Sequence, residues 1–175
     1  MDNPVLETIK SRRSVFRFET TPVKDEELQA ILEAGRWAPS WLNSQPWRFL
    51  CITDKETKKN ISDNVPTAFR AAIIEAPVSI AVFVDPKEDP YHFVEDGASA
   101  TENMALAAKS LGLGSCWIGV FDREDKKDSS EAKIKAFLNA PKNYRLISIL
   151  PIGVPKQVSE KTRKELSQLV YREKF

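Results

Sequence analysis

Residues 78–85, Val-Ser-Ile-Ala-Val-Phe-Val-Asp, decide the fold because nearly every one of them is apolar. A strand that is apolar on both faces has to be covered on both faces, as in the middle of a layered domain. Further strands are expected in short apolar segments at residues 47–53, 116–121 and 146–152. These segments predict a sheet with helices packed against both faces, of α+β or α/β type.

Helices are predicted around these strands from capping residues and from apolar residues that recur every three to four positions. The first helix spans residues 4–11, with Asn3 as its N-cap and Pro4 at its first position, where a missing N–H costs nothing. A second helix spans residues 24–36. Another follows a charged loop and ends near Asn139.

Residues 92–111 carry the longest helical pattern and are rich in alanine, which lets neighbouring helices approach closely. The pattern favours a central helix or a subunit interface, and a buried core helix explains it about as well. In the tail from residue 160, Leu166, Leu169 and Val170 fall on one helical face. We therefore expect the tail to form a docked amphipathic helix.

The composition indicates one soluble domain over residues 1–175, since 42% hydrophobic residues can fill a core without disulfides or a structural metal. Lys and Arg number 26 against 25 Asp and Glu, and the net charge of +1 argues against nucleic acid as a main partner. The longest apolar run, residues 76–84, is much shorter than the roughly 20 residues that cross a bilayer. Residues 1–10 lack a signal-peptide pattern, so we expect a cytoplasmic protein without membrane contact.

Side chains that usually carry catalysis are scarce. Cys51 and Cys116 lie far apart in apolar runs without metal-ligand spacing, so both are expected to be buried reduced thiols and no metal site is predicted. His92, between Tyr91 and Phe93, is interpreted as a structural residue. Because G-x-S-x-G, H-E-x-x-H and P-loop motifs are also missing, we predict no catalytic side chain and a bound cofactor that supplies the reactivity.

The first segment that can carry chemistry is residues 11–18, Ser-Arg-Arg-Ser-Val-Phe-Arg-Phe. Three guanidinium groups and two hydroxyls follow a helix end, and guanidinium groups pair with phosphate oxygens through parallel hydrogen bonds. The segment therefore suits a phosphate. The alternative is that basic residues simply favour the negative end of the helix dipole.

The second segment is residues 38–47, Ala-Pro-Ser-Trp-Leu-Asn-Ser-Gln-Pro-Trp, between a helix and a strand. Amides and hydroxyls beside aromatic rings suit a flat heteroaromatic ligand with a hydrogen-bonding edge. The alternative is a capped turn with Trp41 and Trp47 in the core.

The third segment is residues 111–121, Leu-Gly-Leu-Gly-Ser-Cys-Trp-Ile-Gly-Val-Phe, where Gly112 or Gly114 is expected to cap a helix in the left-handed conformation. Its spacing differs from the G-x-G-x-x-G of dinucleotide folds. The basic tail around Lys161 and Arg163 is, taken alone, typical of a solvated tail.

In this order, the segments resemble the nitroreductase family. The resemblance rests on R-R-S near the start, A-P-S-x-x-N-x-Q-P-W, L-G-L-G-S-C-W-I-G, P-I-G-V-P and a basic K-x-R near the terminus. It implies a mixed, largely antiparallel sheet sandwiched by helices in an interlocked homodimer. A long helix would lie in the interface, and the C-terminal segment would cross the partner.

The resemblance also implies a flavin mononucleotide (FMN) cofactor at the subunit interface. The residues that it implies at the phosphate end are Arg12, Arg13, Ser14, Lys161 and Arg163. The residues that it implies at the flavin ring are Pro39, Ser40 and Asn43 from the other subunit, Gln45 nearby, and Ile118 with Gly119 beside the reactive nitrogen.

The implied activity is the transfer of two electrons, as a hydride, from NADH or NADPH through flavin N5 to nitroaromatic, quinone or similar flat small molecules. The lack of a dinucleotide fingerprint agrees with a ping-pong scheme, in which the nicotinamide leaves before the acceptor enters. The alternatives are a specialised flavin-dependent reductase or dehalogenase of the same fold, and a non-catalytic flavin-binding protein.

One position departs from the family pattern. Relatives with R-R-S-x-R or R-R-S-x-K place a cation near flavin N1, whereas this chain has Phe16 there. A missing cation lowers the flavin potential unless another side chain takes its place. Arg17 and Arg70 are the two candidates, and the sequence leaves the choice open.

Overall fold

The computed structural model describes residues 3–175, and its centre is an antiparallel sheet. The strands are β1 (Trp47–Ile52), β2 (Val78–Val84), β3 (Gly114–Ser115), β4 (Ile118–Gly119) and β5 (Arg145–Gly153). Their order is β1-β2-β5-β3, and β4 also pairs with β5. Each of these pairings is antiparallel, which confirms the predicted α+β class and the largely antiparallel sheet.

Helices cover both faces of the sheet. Their bounds are α1 (Pro4–Ser11), α2 (Asp25–Arg36), α3 (Lys55–Asp63), α4 (Thr67–Glu75), α5 (Phe93–Ser110) and α6 (Ser130–Phe137). Two short 3-10 turns lie at Trp41–Asn43 and Leu166–Gln168. None of the helices within residues 3–175 is both long enough and apolar enough to cross a membrane. Nor do His, Cys, Asp and Glu side chains cluster in this part of the chain as metal ligands would.

Strand β2 is buried along its whole length, as its apolar sequence predicts. Because side chains alternate across a strand, Ala81 and Phe83 belong to a core with Ile73 of α4. Ile80 and Val82 belong to a second core on the opposite face, with Met104 of α5. The helices therefore form two layers, and α5 is the one that crosses the sheet on the second face.

The ends of two helices follow the predicted chemistry. Asn3 caps α1, since its side-chain oxygen accepts hydrogen bonds from the backbone N–H groups of Val5 and Leu6 at 3.0 and 3.1 Å. After α5, Gly112 has a φ of 80°, and Leu113 N–H donates to the Ala108 carbonyl at 2.9 Å. Gly112 is thus the left-handed residue that ends the long helix.

Several expectations from the sequence are wrong. Helices α3 and α4 are missing from the prediction because residues 53–76 mix charged and apolar residues, although Asp54 is a capping signal for α3. Of residues 116–121, where a single strand is expected, only Ile118 and Gly119 form a strand, β4, and the short strand β3 lies just before this segment. Cys116 and Trp117 separate the two strands, and Trp117 is partly exposed.

The predicted amphipathic tail helix is also wrong. Leu166 is 72% exposed and Leu169 is 57% exposed, and the only helical turn there is the short Leu166–Gln168 segment. An isolated helix of this length is unstable unless its apolar face is packed, and within the chain the tail has no such packing.

The expectation for the cysteines is half right. Cys116 is buried, and burial raises the pKa of its thiol to about 11. Cys51 is exposed, which contradicts the expectation. The physical reason is that β1 is an edge strand of the sheet, with much of its surface open.

Candidate functional site

The basic N-terminal segment lies directly against the sheet. Ser14 forms a parallel bridge with Ser115 of β3, and Val15 N–H donates to the Ser115 carbonyl at 2.9 Å. This approach depends on Gly114, where an added Cβ would lie 2.6 Å from Val15 Cγ2. The arginines that precede Ser14 are therefore held beside the strand that leads to β4.

A small open cavity adjoins the end of α1. It is lined by both arginines, by Lys109 at the end of α5, and by residues of β3 and of the start of the tail: Ser11, Arg12, Arg13, Val15, Lys109, Gly112, Leu113, Gly114, Ser115, Pro155 and Val158. Three cationic side chains thus line one opening. An anion is the ligand that this charge favours.

Arg12 and Arg13 already have partners within the chain. Arg12 Nε lies 3.5 Å from Glu102 Oε1 of α5, a distance longer than a good hydrogen bond. Arg13 Nη1 donates to the carbonyls of Lys10 and Arg12 at 2.5 and 2.8 Å. Since Lys10 belongs to the last turn of α1, Arg13 also interacts with the negative end of the helix dipole, as the alternative interpretation has it.

Strand β4 offers an exposed stretch of backbone. Ile118 is buried at 1% exposure, whereas Gly119 is exposed and pairs with Ser148 of β5. An added Cβ at Gly119 would meet no atom within 4 Å. The surface above Gly119 is therefore open, so a flat group can lie against the strand.

The polar segment before β1 is held by internal hydrogen bonds. Ser40 Oγ accepts from Gln45 N–H at 3.0 Å, and Gln45 Nε2 donates to the Asn43 carbonyl at 3.2 Å. Pro39 and Asn43 are exposed and Ser40 is half-buried. This arrangement leaves amide and hydroxyl groups at the surface.

The two tryptophans of this segment differ in their surroundings. Trp47 is 6% exposed and packs with Ala38 and Ala100, so the core interpretation is right for this residue. Trp41 is 44% exposed and its ring stacks on that of His92, with centroids 4.4 Å apart. An exposed aromatic ring therefore lies next to Ser40.

Helix α5 separates the polar segment from the basic cavity within one chain. Asp96, in its first turn, accepts a hydrogen bond from Trp41 N–H at 3.1 Å. Glu102 contacts Arg12, and Lys109 lines the cavity. At 1.5 Å per residue, Lys109 lies about 20 Å along the helix from Asp96. The structure does not bring Ser40 or Asn43 to Arg12 in the same chain.

The tail cations are near the cavity along the chain but do not contact the arginines. The start of the tail is held by two backbone contacts. Phe18 forms a bridge with Pro155, and Lys156 N–H donates to the Arg17 carbonyl at 3.0 Å. Lys161 and Arg163 are exposed, and Arg163 Nη1 donates to the adjacent Thr162 carbonyl at 3.3 Å. The structure therefore does not join the tail cations to Arg12 and Arg13.

Phe16 is 39% exposed, and its ring is stacked on that of Phe69 with centroids 6.1 Å apart. The two candidate replacement cations are engaged elsewhere. Arg17 Nε bonds to Glu75 Oε1 at 2.7 Å. Arg70 Nε donates to the Val65 carbonyl at 3.5 Å, and its Nη2 donates to the Asp63 carbonyl at 3.4 Å.

Sequence reasoning missed three residues near these groups: Glu102, Lys109 and Asp96. All three belong to α5, whose alanine pattern identifies the helix but not which polar side chains face the neighbouring segments. Only the packing of α5 against α1 and residues 40–44 reveals them. Together, the cationic cavity and the open backbone of Gly119 fit a ligand with an anionic end and a flat end.

Known proteins are similar to this chain in sequence and in fold. A model of the nitroreductase family matches residues 9–75 and 62–154. An Archaeoglobus fulgidus protein named "Putative NADH dehydrogenase/NAD(P)H nitroreductase" is 36% identical, over 86% of this chain and 85% of its own. A Bacillus subtilis protein named FMN reductase (NAD(P)H) is 30% identical, over 91% of this chain and 69% of its own.

A solved structure agrees over the entire length. It is a Desulfovibrio desulfuricans protein described as "a putative nitroreductase in complex with fmn", with a TM-score of 0.86 and 32% identity. The match covers 100% of this chain and 99% of that one.

The contact between Gly114 and Val15 can be tested by a double-mutant cycle. Gly114→Ala is expected to destabilise the protein by about 1–3 kcal/mol, because the added methyl group overlaps Val15 Cγ2. Val15→Ala removes that methyl partner, so the double variant is expected to be more stable than the sum of the two single effects by about 0.5–3 kcal/mol. Urea unfolding of the four proteins measures this coupling, and strictly additive effects would contradict the contact.

Proposed function

Because this chain belongs to the nitroreductase family, we propose that it is an FMN-dependent oxidoreductase that takes two electrons from NADH or NADPH and passes them to a small flat acceptor. The observation that carries the proposal is the cavity lined by Arg12 and Arg13, one strand away from the open backbone at Gly119. Relatives named for FMN and NAD(P)H support the same cofactors here.

The arginine cavity is the proposed phosphate site. The guanidinium groups of Arg12 and Arg13 donate to the phosphate oxygens, and the Ser14 hydroxyl adds a neutral donor. Lys161 lies three residues beyond Val158, a cavity residue, so an extended chain lets it lie within about 10 Å of the opening. A rearrangement of the tail that brings Lys161 and Arg163 to the phosphate is part of the proposal.

The proposed ring site begins at β4. Ile118 fixes the strand in the core while Gly119, without a side chain, lets the ring approach the backbone closely. Pro39, Ser40 and Asn43 of a second subunit, with Gln45 nearby, complete the polar edge. When bound, the flavin supplies the hydride chemistry, and the residues of the chain bind and orient it.

The proposed acceptors are nitroaromatics, quinones and similar flat molecules that exchange with the nicotinamide in one slot. A second candidate is a specialised flavin-dependent reductase with a lowered flavin potential. Phe16 favours this candidate because it puts no cation near flavin N1. The two arginines that could replace the cation have other partners, since Arg17 is paired with Glu75 and Arg70 with backbone carbonyls. A non-catalytic flavin-binding protein is the remaining alternative.

A homodimer is proposed from two exposed apolar surfaces. One is the groove between α1, α2 and α5, where Val5, Ile9 and Trp37 are 63%, 49% and 72% exposed. The other is the tail, where Leu169 is 57% exposed and Tyr171 is 61% exposed. Apolar surfaces of this extent are typical of interaction sites, and a partner's tail in the groove would bury both.

The first experiment tests the function itself. The purified protein, reconstituted with FMN, is expected to be yellow and to lose its flavin absorbance within seconds when NADH or NADPH is added without oxygen. A panel of nitroaromatic, quinone and halogenated acceptors should then restore the absorbance and identify the acceptor class. A protein that takes up no FMN would overturn the proposal, and bound FMN that stays oxidised would favour the non-catalytic alternative.

The phosphate site is tested by Arg12→Ala. Loss of one charged hydrogen-bonding partner is expected to weaken FMN binding about 10- to 100-fold. Riboflavin lacks the phosphate, so its dissociation constant should not change. Arg36→Ala removes an exposed arginine that pairs with Glu33 and serves as the matched control. An unchanged FMN dissociation constant in Arg12→Ala would place the phosphate elsewhere.

The dimer is tested by Leu169→Asp. Sedimentation equilibrium of the unaltered protein is expected to give the mass of two chains. Burying one leucine is worth about 1.5–3 kcal/mol and a symmetric dimer buries two, so the dissociation constant of the dimer should rise roughly 100-fold or more in the variant. Gln168→Asp adds the same charge without removing apolar surface. A monomer at all concentrations, or equal effects of both variants, would contradict the tail contact.

A further inference from the structure

Asp96 is a buried carboxyl group that contacts the polar segment 39–45. It lies in the first turn of α5 and is 4% exposed. Its Oδ1 accepts a hydrogen bond from Trp41 N–H at 3.1 Å, and its Oδ2 accepts one from Ser44 Oγ at 3.4 Å. One side chain of the helix therefore holds both ends of the turn that begins after Ser40.

The backbone of this turn is in an uncommon conformation. Leu42, Asn43 and Gln45 have φ values of 46°, 60° and 52°, in the left-handed region that residues other than glycine rarely adopt. Such residues persist only where the surroundings fix them. The conformation thus depends on contacts such as those of Asp96, and it is this conformation that exposes Asn43.

A second buried carboxyl group supports the first. Asp89 is fully buried, and its Oδ1 accepts hydrogen bonds from the N–H groups of Tyr91 and His92 at 2.9 and 3.0 Å. The Asp89 side chain lies close enough to Asp96 to raise the pKa of that group, and within residues 3–175 Asp89 Oδ2 is buried without a hydrogen-bond partner. Like charges that lie close together inside a protein disfavour each other's ionisation, so the two carboxyl groups influence each other's pKa.

The pKa values of the two groups shift in opposite directions. Burial raises the pKa of Asp96, and the neighbouring Asp89 carboxylate raises it further, against the hydrogen bond from Trp41. Burial acts in the same direction on Asp89, but the N–H groups of His92 and Tyr91 outweigh it and lower the pKa of that group. Asp96 is therefore the group of the pair whose charged form is disfavoured, and Asp89 is the group whose charged form is stabilised.

The acid pair also fixes the aromatic stack beside Ser40. Asp96 binds the backbone of Trp41, and Asp89 binds the backbone of His92. The two rings of these residues stack at 4.4 Å. The position of the exposed Trp41 ring is thus set from both sides by one pair of carboxyl groups.

We propose that Asp96 is a positioning residue, which holds segment 39–45 in the conformation that presents Ser40 and Asn43 to the flavin ring. This role rests on the proposed function, because only a bound flavin gives the segment something to contact. Asp96 does not reach the proposed phosphate site, because that cavity lies toward the other end of α5.

The test compares Asp96→Ala with Asp96→Asn. In the alanine variant, both hydrogen bonds to the segment are lost, and the affinities for FMN and riboflavin are expected to fall together, by about 10-fold each. Asparagine still accepts from Trp41 N–H through its amide oxygen, and its amide nitrogen can donate to the Ser44 hydroxyl. The flavin affinities of this variant should therefore stay within about threefold of those of the unaltered protein. In contrast, Arg12→Ala should weaken the binding of FMN and leave the binding of riboflavin unchanged.

Asp54→Ala is the matched control. Asp54 caps α3 by accepting from Thr57 N–H at 2.7 Å, so this substitution also removes a carboxylate that binds backbone. It should lower stability without changing either flavin affinity. If Asp96→Ala does not fold, Ser44→Ala removes one of the two contacts, and a fall of about threefold in both flavin affinities is then expected.

Hydrogen–deuterium exchange of the full-length protein gives a readout without flavin. The amides of residues 40–45 are expected to exchange at least tenfold faster in Asp96→Ala than in the unaltered protein and in Asp96→Asn. The positioning role would be overturned if Asp96→Ala left the exchange rates unchanged. It would also be overturned if the variant bound riboflavin as tightly as the unaltered protein and lost affinity for FMN alone. Unaltered protein that binds neither flavin would instead overturn the proposed function, whatever the exchange rates of the variants.

Discussion

The hydrogen bond from Val15 N–H to the Ser115 carbonyl, at 2.9 Å, is the contact on which the candidate site depends. It attaches the segment after α1 to β3, so that two arginines lie beside the strand that leads to Gly119. The contact is possible because Gly114 has no side chain to collide with Val15. A backbone interaction thus determines where the cationic side chains lie.

Helix α5 packs on the sheet and also contacts both segments of the candidate site. Its apolar side packs on β2 and β5, where Gly97 allows an approach so close that a Cβ would lie 2.6 Å from Ile147 Cγ1. Its polar residues contact different segments at different heights: Asp96 holds the turn after Ser40, and Glu102 contacts Arg12. In the proposed dimer, the arginines that bind the phosphate of one flavin and the polar turn at its ring come from different subunits.

The sequence predicts the elements whose signals are local. Asn3 and Pro4 define the start of α1, and the uninterrupted apolar run of β2 requires layers on both faces. The motifs also identify the nitroreductase family and name candidate residues such as Arg12 and Gly119. The sequence does not reveal which side chains meet across the fold. Asp96, Glu102 and the ion pair of Arg17 with Glu75 follow only from packing.

The errors have the same origin. The tail is expected to dock because Leu166, Leu169 and Val170 share a helical face, yet within the single chain this face packs on no other element and the three side chains stay exposed. Cys51 was expected to be buried because its neighbours are apolar, but β1 is an edge strand. The roles of the individual candidate residues stay predictions, since they concern a ligand and a partner subunit.

A crystal structure of the protein with FMN bound tests the central claim most directly. The account predicts that the phosphate oxygens lie within hydrogen-bond distance of the guanidinium groups of Arg12 and Arg13, and that the ring lies against Gly119. A phosphate bound elsewhere, such as among Lys55, Lys59 and Lys156 on the other side of the tail, would contradict it.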